Sequence, residues 1–117
     1  YDMFSWVGIS KEQAQNIFDF DAISDKFPGF DAKGGHAKPS TIDCDKHWKK
    51  SLENKVQMAD EIIVLGAVAK QYLESKPKTW GCNTKILYMI HPSKRNFSKI
   101  MEQKESIINN LKWILDL

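Results

Sequence analysis

The chain predicts an α/β fold: a parallel β-sheet between helices on both of its faces, a three-layer αβα arrangement. Three observations predict it. Glu61-Ile62-Ile63-Val64-Leu65-Gly66 and Lys85-Ile86-Leu87-Tyr88-Met89-Ile90 are short, nearly continuous apolar runs, the pattern of parallel strands covered on both faces. Stretches of helical periodicity alternate with them, which is the order that builds strand–helix–strand crossovers. The chain has 117 residues, 42% of them hydrophobic, enough for the core of one small domain.

The elements follow in order. Ser10-Lys11-Glu12-Gln13 has the form of a capping box, so a short helix is expected over 10–18. Phe20-Asp21-Ala22-Ile23-Ser24 alternates apolar and polar residues and reads as a strand with one better-buried face. Lys26 to Ser40 breaks all periodicity and holds three of the six glycines and two of the four prolines, so it reads as a long surface loop. Ser40 or Thr41 then caps a helix running to about Met58, with Ile42, Trp48, Leu52, Val56 and Met58 at roughly helical spacing and Trp48 in the core. The strand at 61–66 is followed by a helix over 67–73 whose small residues permit close approach to the sheet. After the 85–90 strand, an amphipathic helix from about Ser98 to Leu115 turns Ile100, Ile107, Ile108, Leu111, Ile114 and Leu115 toward the sheet.

A net charge of +2 permits phosphate contact without requiring it. Its distribution is uneven: Asp2, Glu12, Asp19, Asp21 and Asp25 make the beginning acidic, while Lys46, Lys49, Lys50, Lys94, Arg95 and Lys99 are basic. Two cysteines form no disulfide framework, and no apolar run is long enough to span a bilayer, so no membrane partner and a reducing cytoplasm are expected.

The most informative segment for chemistry is the exit of the second apolar run into His91-Pro92-Ser93. Ligands of open α/β sheets sit beyond the carboxyl ends of the strands, which makes His91 the first candidate for a functional group; a satisfied structural histidine before a strand-ending proline is the alternative. Lys94, Arg95 and Asn96 follow on the same loop and suit a phosphate-bearing ligand, or else simply lead into the last helix. Gly66 invites a phosphate-binding reading but lacks a glycine-rich signature, and close helix–sheet packing is the better reason for it. Cys44-x-x-His47 has the spacing of half a zinc site, but only His36, Cys82 and His91 remain as partners, scattered over three loops, and no metal is expected.

Taken in order, these pieces resemble the uracil-DNA glycosylase superfamily, in particular its bacterial branch. The resemblance is carried by Phe4-Ser5-Trp6-Val7-Gly8-Ile9, Phe27-Pro28-Gly29, Pro39-Ser40, Cys44, the Ile62-to-Ala69 strand–helix unit and His91-Pro92-Ser93. It implies hydrolysis of the N-glycosidic bond of uracil, or a related damaged base, in DNA. His91 would stabilise charge on the departing pyrimidine, Ser93, Lys94, Arg95 and Asn96 would face DNA, and Pro39 and Ser40 would hold a phosphate. The family's base-reading position falls at Asp21 and Ala22. Such an enzyme extrudes its base and stabilises a leaving anion with preorganised donors. The iron–sulfur branches use four cysteines, of which only Cys44 has a counterpart here, Lys26 occupying the preceding position, so no cofactor is implied. The family's first motif would precede Tyr1. The resemblance therefore implies one domain over 1–117, incomplete at its N-terminus, with turnover dependent on that motif. The rival expectation is a catalytically silent module of the same fold that binds nucleic acid or another phospholigand. A missing first strand would leave a sheet edge exposed and favour a homodimer.

Overall fold

Serine caps start the first two α-helices where the sequence places them. In this computed structural model, which describes residues 3–24, 29, 32, 37–77 and 83–117, Ser10 caps α1 (Lys11–Ile17). The Ser10 hydroxyl accepts from the Gln13 amide at 3.1 Å and the Gln13 side chain accepts from the Ser10 amide at 2.9 Å, so two otherwise orphaned donors are satisfied reciprocally. A 3-10 turn, Met3–Val7, precedes it. Ser40 caps α2 (Thr41–His47) by accepting from the Asp43 amide at 3.1 Å. The helix then widens into a π-helical stretch, Trp48–Leu52, before regaining α geometry in α3 (Glu53–Met58). The Trp48 indole donates to the Glu53 carboxylate at 2.8 Å, a contact between residues five apart that matches the π-helical repeat, and the Glu53 amide donates to the Trp48 carbonyl.

β1 (Glu61–Leu65) and β2 (Lys85–Met89) pair in parallel, in register from Glu61 opposite Lys85 to Leu65 opposite Met89. Between them runs α4 (Ala67–Glu74). After β2 comes a 3-10 turn, Lys94–Asn96, then α5 (Phe97–Glu102) and α6 (Lys104–Ile114). Among the described residues the sheet has these two strands, so the protein is a small mixed α/β structure with helices around a two-strand parallel sheet.

The continuous apolar runs are explained by two cores, one on each face. Ile63, Leu87 and Met89 join Met3 and the fully buried Ile100, Leu111 and Ile114 in one. Ile62, Val64 and Ile86 join Trp48, Val56 and Leu73 in the other. Period-two alternation along each strand thus feeds opposite cores, which is why both strands lack a polar face. The bonds from the Lys85 amide to the Asp60 carbonyl, 3.0 Å, and from the Gly66 amide to the Met89 carbonyl, 2.9 Å, fix the phase of the ladder. Backbone groups of Glu61, Ile63 and Leu65 face away from β2, and those of Ile86 and Tyr88 away from β1. The edge pairing expected from the sequence would run through these groups.

Three expectations need correction. Residues 20–24 are not a strand. The Asp21 carboxylate accepts from the neighbouring Ala22 amide at 2.8 Å, a local bond that competes with a ladder, and Phe20 is 60% exposed. Its ring instead meets Phe18 edge-on at 6.0 Å, and Phe18 stacks on Phe4 at 5.0 Å. Ile42 and Met58, at the ends of the 41–58 helix, are 69% and 76% exposed, because each stands two residues, about 200° of helical rotation, from a buried position of its own segment, Cys44 and Val56. The last helix is interrupted at Gln103, whose φ of −97° and ψ of 9° separate α5 from α6. The candidate partners His36 and Cys82, along with Lys26, Phe27 and Pro28, lie outside the described residues.

Candidate functional site at the carboxyl ends of the strands

β1 and β2 end side by side, and the chain makes two tight features there. Gly66 leaves β1 with φ 88° and ψ 163°, a conformation essentially reserved for glycine. A Cβ at Gly66 would sit 3.3 Å from His91 Cβ and 3.6 Å from His91 Cδ2, so the absent side chain is what lets the histidine lie against the start of α4. Gly66 therefore serves close approach, as expected, but to the His91 loop.

The His91 loop is held by its own backbone. The His91 carbonyl accepts from the Ser93 amide at 2.8 Å and from Asn96 Nδ2 at 3.0 Å, and the Asn96 amide donates to the Ser93 carbonyl at 3.0 Å. Asn96, expected to face DNA, is thus a brace of the loop. His91, Lys94 and Arg95 are exposed, Ser93 half-buried, and among the described residues none of the three basic groups forms a hydrogen bond or ion pair. The arrangement presents an imidazole and two cations from a rigid turn at the end of the sheet.

A cavity of about 140 Å³ borders α4. Ile23, Lys38, Pro39, Thr41 and Cys44 form one wall, and Val68, Gln71 and Tyr72 of α4 the other. Of the remaining sequence candidates, Pro39 borders this cavity, and Asp21-Ala22 and Ser40 adjoin the lining residues Ile23 and Pro39 in the chain; none of them meets His91. Of these, Ser40 commits its hydroxyl to the helix cap.

Asp21 is committed more heavily. One carboxylate oxygen accepts from His47 Nε2 at 2.8 Å and from the Ala22 amide, and the other from Lys55 Nζ at 2.9 Å. Partial burial works to raise its pKa, but the bonds from Lys55, His47 and Ala22 outweigh it and hold the carboxyl below its ordinary value. His47, a zinc candidate in the sequence, is instead a buried anchor for this carboxylate. Burial, with Asp45 and Asp43 nearby, pushes the Cys44 thiol up, so it behaves as a small apolar side chain. Among the described residues, no three His, Cys, Asp or Glu side chains cluster as a metal site would require.

The tie has a pH signature. A depressed carboxyl stabilises the fold fully above its unfolded value, near 3.8, and loses that contribution as pH falls through its folded value. Asp21→Asn is expected to lower the urea midpoint at pH 7, with the gap to the unsubstituted protein closing as pH drops below about 4. A gap that stays constant with pH would show that the ionised carboxylate is not what ties these elements.

No motif in the sequence signalled the Tyr72 cluster behind the cavity. Tyr72 donates to Asp45 Oδ1 at 2.7 Å, Lys76 Nζ reaches the same oxygen at 2.8 Å, and the lysine lies 4.8 Å from the Tyr72 ring centre and 5.7 Å from that of Trp48. Burial, joined by the bond to Asp45, pushes the Tyr72 hydroxyl up to about 12. These residues bind α2 to α4 and fix one cavity wall. No helix among the described residues is long and apolar enough to cross a membrane. No protein-family model, no curated protein and no solved structure matches this chain, so its function rests on the site's own geometry and chemistry.

Proposed function

We propose that this chain is a DNA-binding domain of uracil-DNA-glycosylase-like, three-layer design, in which His91 serves excision of uracil or a related base. The observation that carries the reading is the turn at the end of the sheet: Gly66 seats His91 against the start of α4, and Lys94 and Arg95 follow His91 on the same exposed loop. Hydrolysis of an N-glycosidic bond places water's oxygen on the sugar carbon and sends the bonding pair out on the base, which in the end takes up the proton that water loses. A donor preorganised at the base's carbonyl oxygen then stabilises the developing anion. An exposed imidazole on a braced turn suits that task, and the adjoining cations suit the strand's phosphates.

A second reading, a phosphate-binding module without turnover, is favoured by one observation. Asp21, placed by resemblance at the base-reading position, has both oxygens engaged by His47, Ala22 and Lys55.

The test is excision, by the longest natural form of the protein, from single- and double-stranded oligonucleotides carrying one uracil. Under the first reading the protein leaves an alkali-labile abasic site, and His91→Ala reduces the rate by about 10²–10³-fold, the usual loss on removing one charge-stabilising donor. Absence of excision, together with salt-sensitive binding weakened by Lys94→Ala and Arg95→Ala, selects the second. Neither excision nor binding would overturn both.

A further inference from the structure

The geometry that joins Gly66 to His91 also joins a second pair of residues that the candidate site does not use. Lys70 stands one helical turn beyond Gly66, its amide donating to the Gly66 carbonyl at 3.1 Å. Tyr88 precedes the last residue of β2, and its backbone groups face away from β1. Lys70 Nζ lies 5.3 Å from the centre of the Tyr88 ring, within range of a cation–π contact. Tyr88 keeps 39% of its surface exposed, and Lys70 is exposed and forms no ion pair among the described residues.

Tyr88 buries most of its surface and leaves the remaining 39% to solvent. Beside a lysine without a carboxylate partner, it matches a ligand that combines a flat π-face with a nearby anion. That combination is a nucleotide unit of an unpaired strand: aromatic side chains stack on any base, and a neighbouring cation holds the backbone. Charge gives the surface a direction. Glu74, the carboxylate that acts on Tyr88, sits one turn farther from Gly66, whereas His91, Lys94 and Arg95 lie at the Gly66 end. A phosphate is therefore favoured on the side of Lys70 that faces the His91 loop.

Resting on the nucleic-acid reading of the His91 site, we propose that Tyr88 and Lys70 form a second contact for the bound DNA strand, with Tyr88 stacking an unpaired base and Lys70 holding the adjoining phosphate. The strand would pass from the His91 loop over the first turn of α4 to the outer side of β2.

The experiment measures binding of two single strands of about twelve nucleotides, one of thymidines and one wholly abasic, across a range of salt. Tyr88→Leu is expected to weaken the thymidine strand by about 5- to 100-fold and leave the abasic strand unchanged, while Tyr88→Phe, which keeps the ring, binds both as before. Lys70→Gln is expected to weaken both strands and reduce the salt slope by about 0.7. A merely structural tyrosine would weaken both strands alike, and that result overturns the proposal. Should Tyr88→Leu fail to fold, Lys70→Gln, on an exposed helical position, decides: an unchanged slope overturns it. Arg95→Gln run alongside separates the two levels. Loss with Arg95→Gln but not with the Tyr88 and Lys70 variants removes this contact and keeps the nucleic-acid reading; no binding by the unsubstituted protein removes both.

Discussion

Replacing Leu111 by alanine is expected to lower stability by about 2–5 kcal/mol, more than any polar or surface substitution in this chain should cost. Leu111 is fully buried in α6 and packs in the same cluster as Ile107, Ile114, Leu87 and Met89, so truncation removes transfer energy and leaves a cavity between helix and sheet. The sheet makes the position more sensitive. Two five-residue strands do not hold together without packing on their faces, and Leu111 belongs to one of the two cores that supply it. Against a total stability of about 5–15 kcal/mol, such a loss is a large fraction. The melting temperature is expected to fall by on the order of 10–20 °C, whereas Asn110→Ala, at the adjacent exposed position, should stay within about 0.5 kcal/mol of the unsubstituted protein. Equal urea midpoints for the two variants would refute this placement of α6.

Gly66→Ala is expected to damage the site more than the fold. With φ 88° and ψ 163°, alanine costs about 1–3 kcal/mol in backbone strain. Its Cβ also arrives 3.3 Å from His91 Cβ, an atom fixed to the backbone rather than the far end of a flexible chain. His91 must then give by a few tenths of an ångström, and the loop that carries Lys94 and Arg95 is expected to shift with it. Gly8→Ala is the control: Gly8 has φ 80°, but a Cβ there meets nothing within 4 Å. Both variants should lose stability in urea, and only Gly66→Ala should also lose oligonucleotide affinity when measured where each is folded. Equal affinities would separate Gly66 from the function of the His91 loop.

Much of this architecture was legible in the chain. The Ser10–Gln13 capping box, the Ser40 cap, the two apolar strands, the helix between them and the buried stripe Ile100, Ile107, Leu111 and Ile114 all rest on interactions between residues close in sequence or on a periodicity set by backbone geometry. His91 at the exit of β2 was legible for the same reason: a strand-ending proline after an apolar run fixes where the strand stops. What misled was alternation at 20–24, where the period-two pattern was present but Asp21 found partners nearer than a neighbouring strand. The π-helical stretch and the break at Gln103 carry no periodic signal of their own.

By itself, the sequence determined where elements begin, which faces are apolar and which loop carries the exposed imidazole, because these follow from caps, periodicity and strand breakers acting over a few residues. Only the tertiary structure decided which distant groups meet. Asp21 reaches His47 and Lys55 across 26 and 34 residues, Tyr72 and Lys76 reach back to Asp45, and Lys70 comes over Tyr88. Such pairings depend on how helices pack against a sheet, and packing is settled by volume and charge summed over the whole core rather than by any local run of residues.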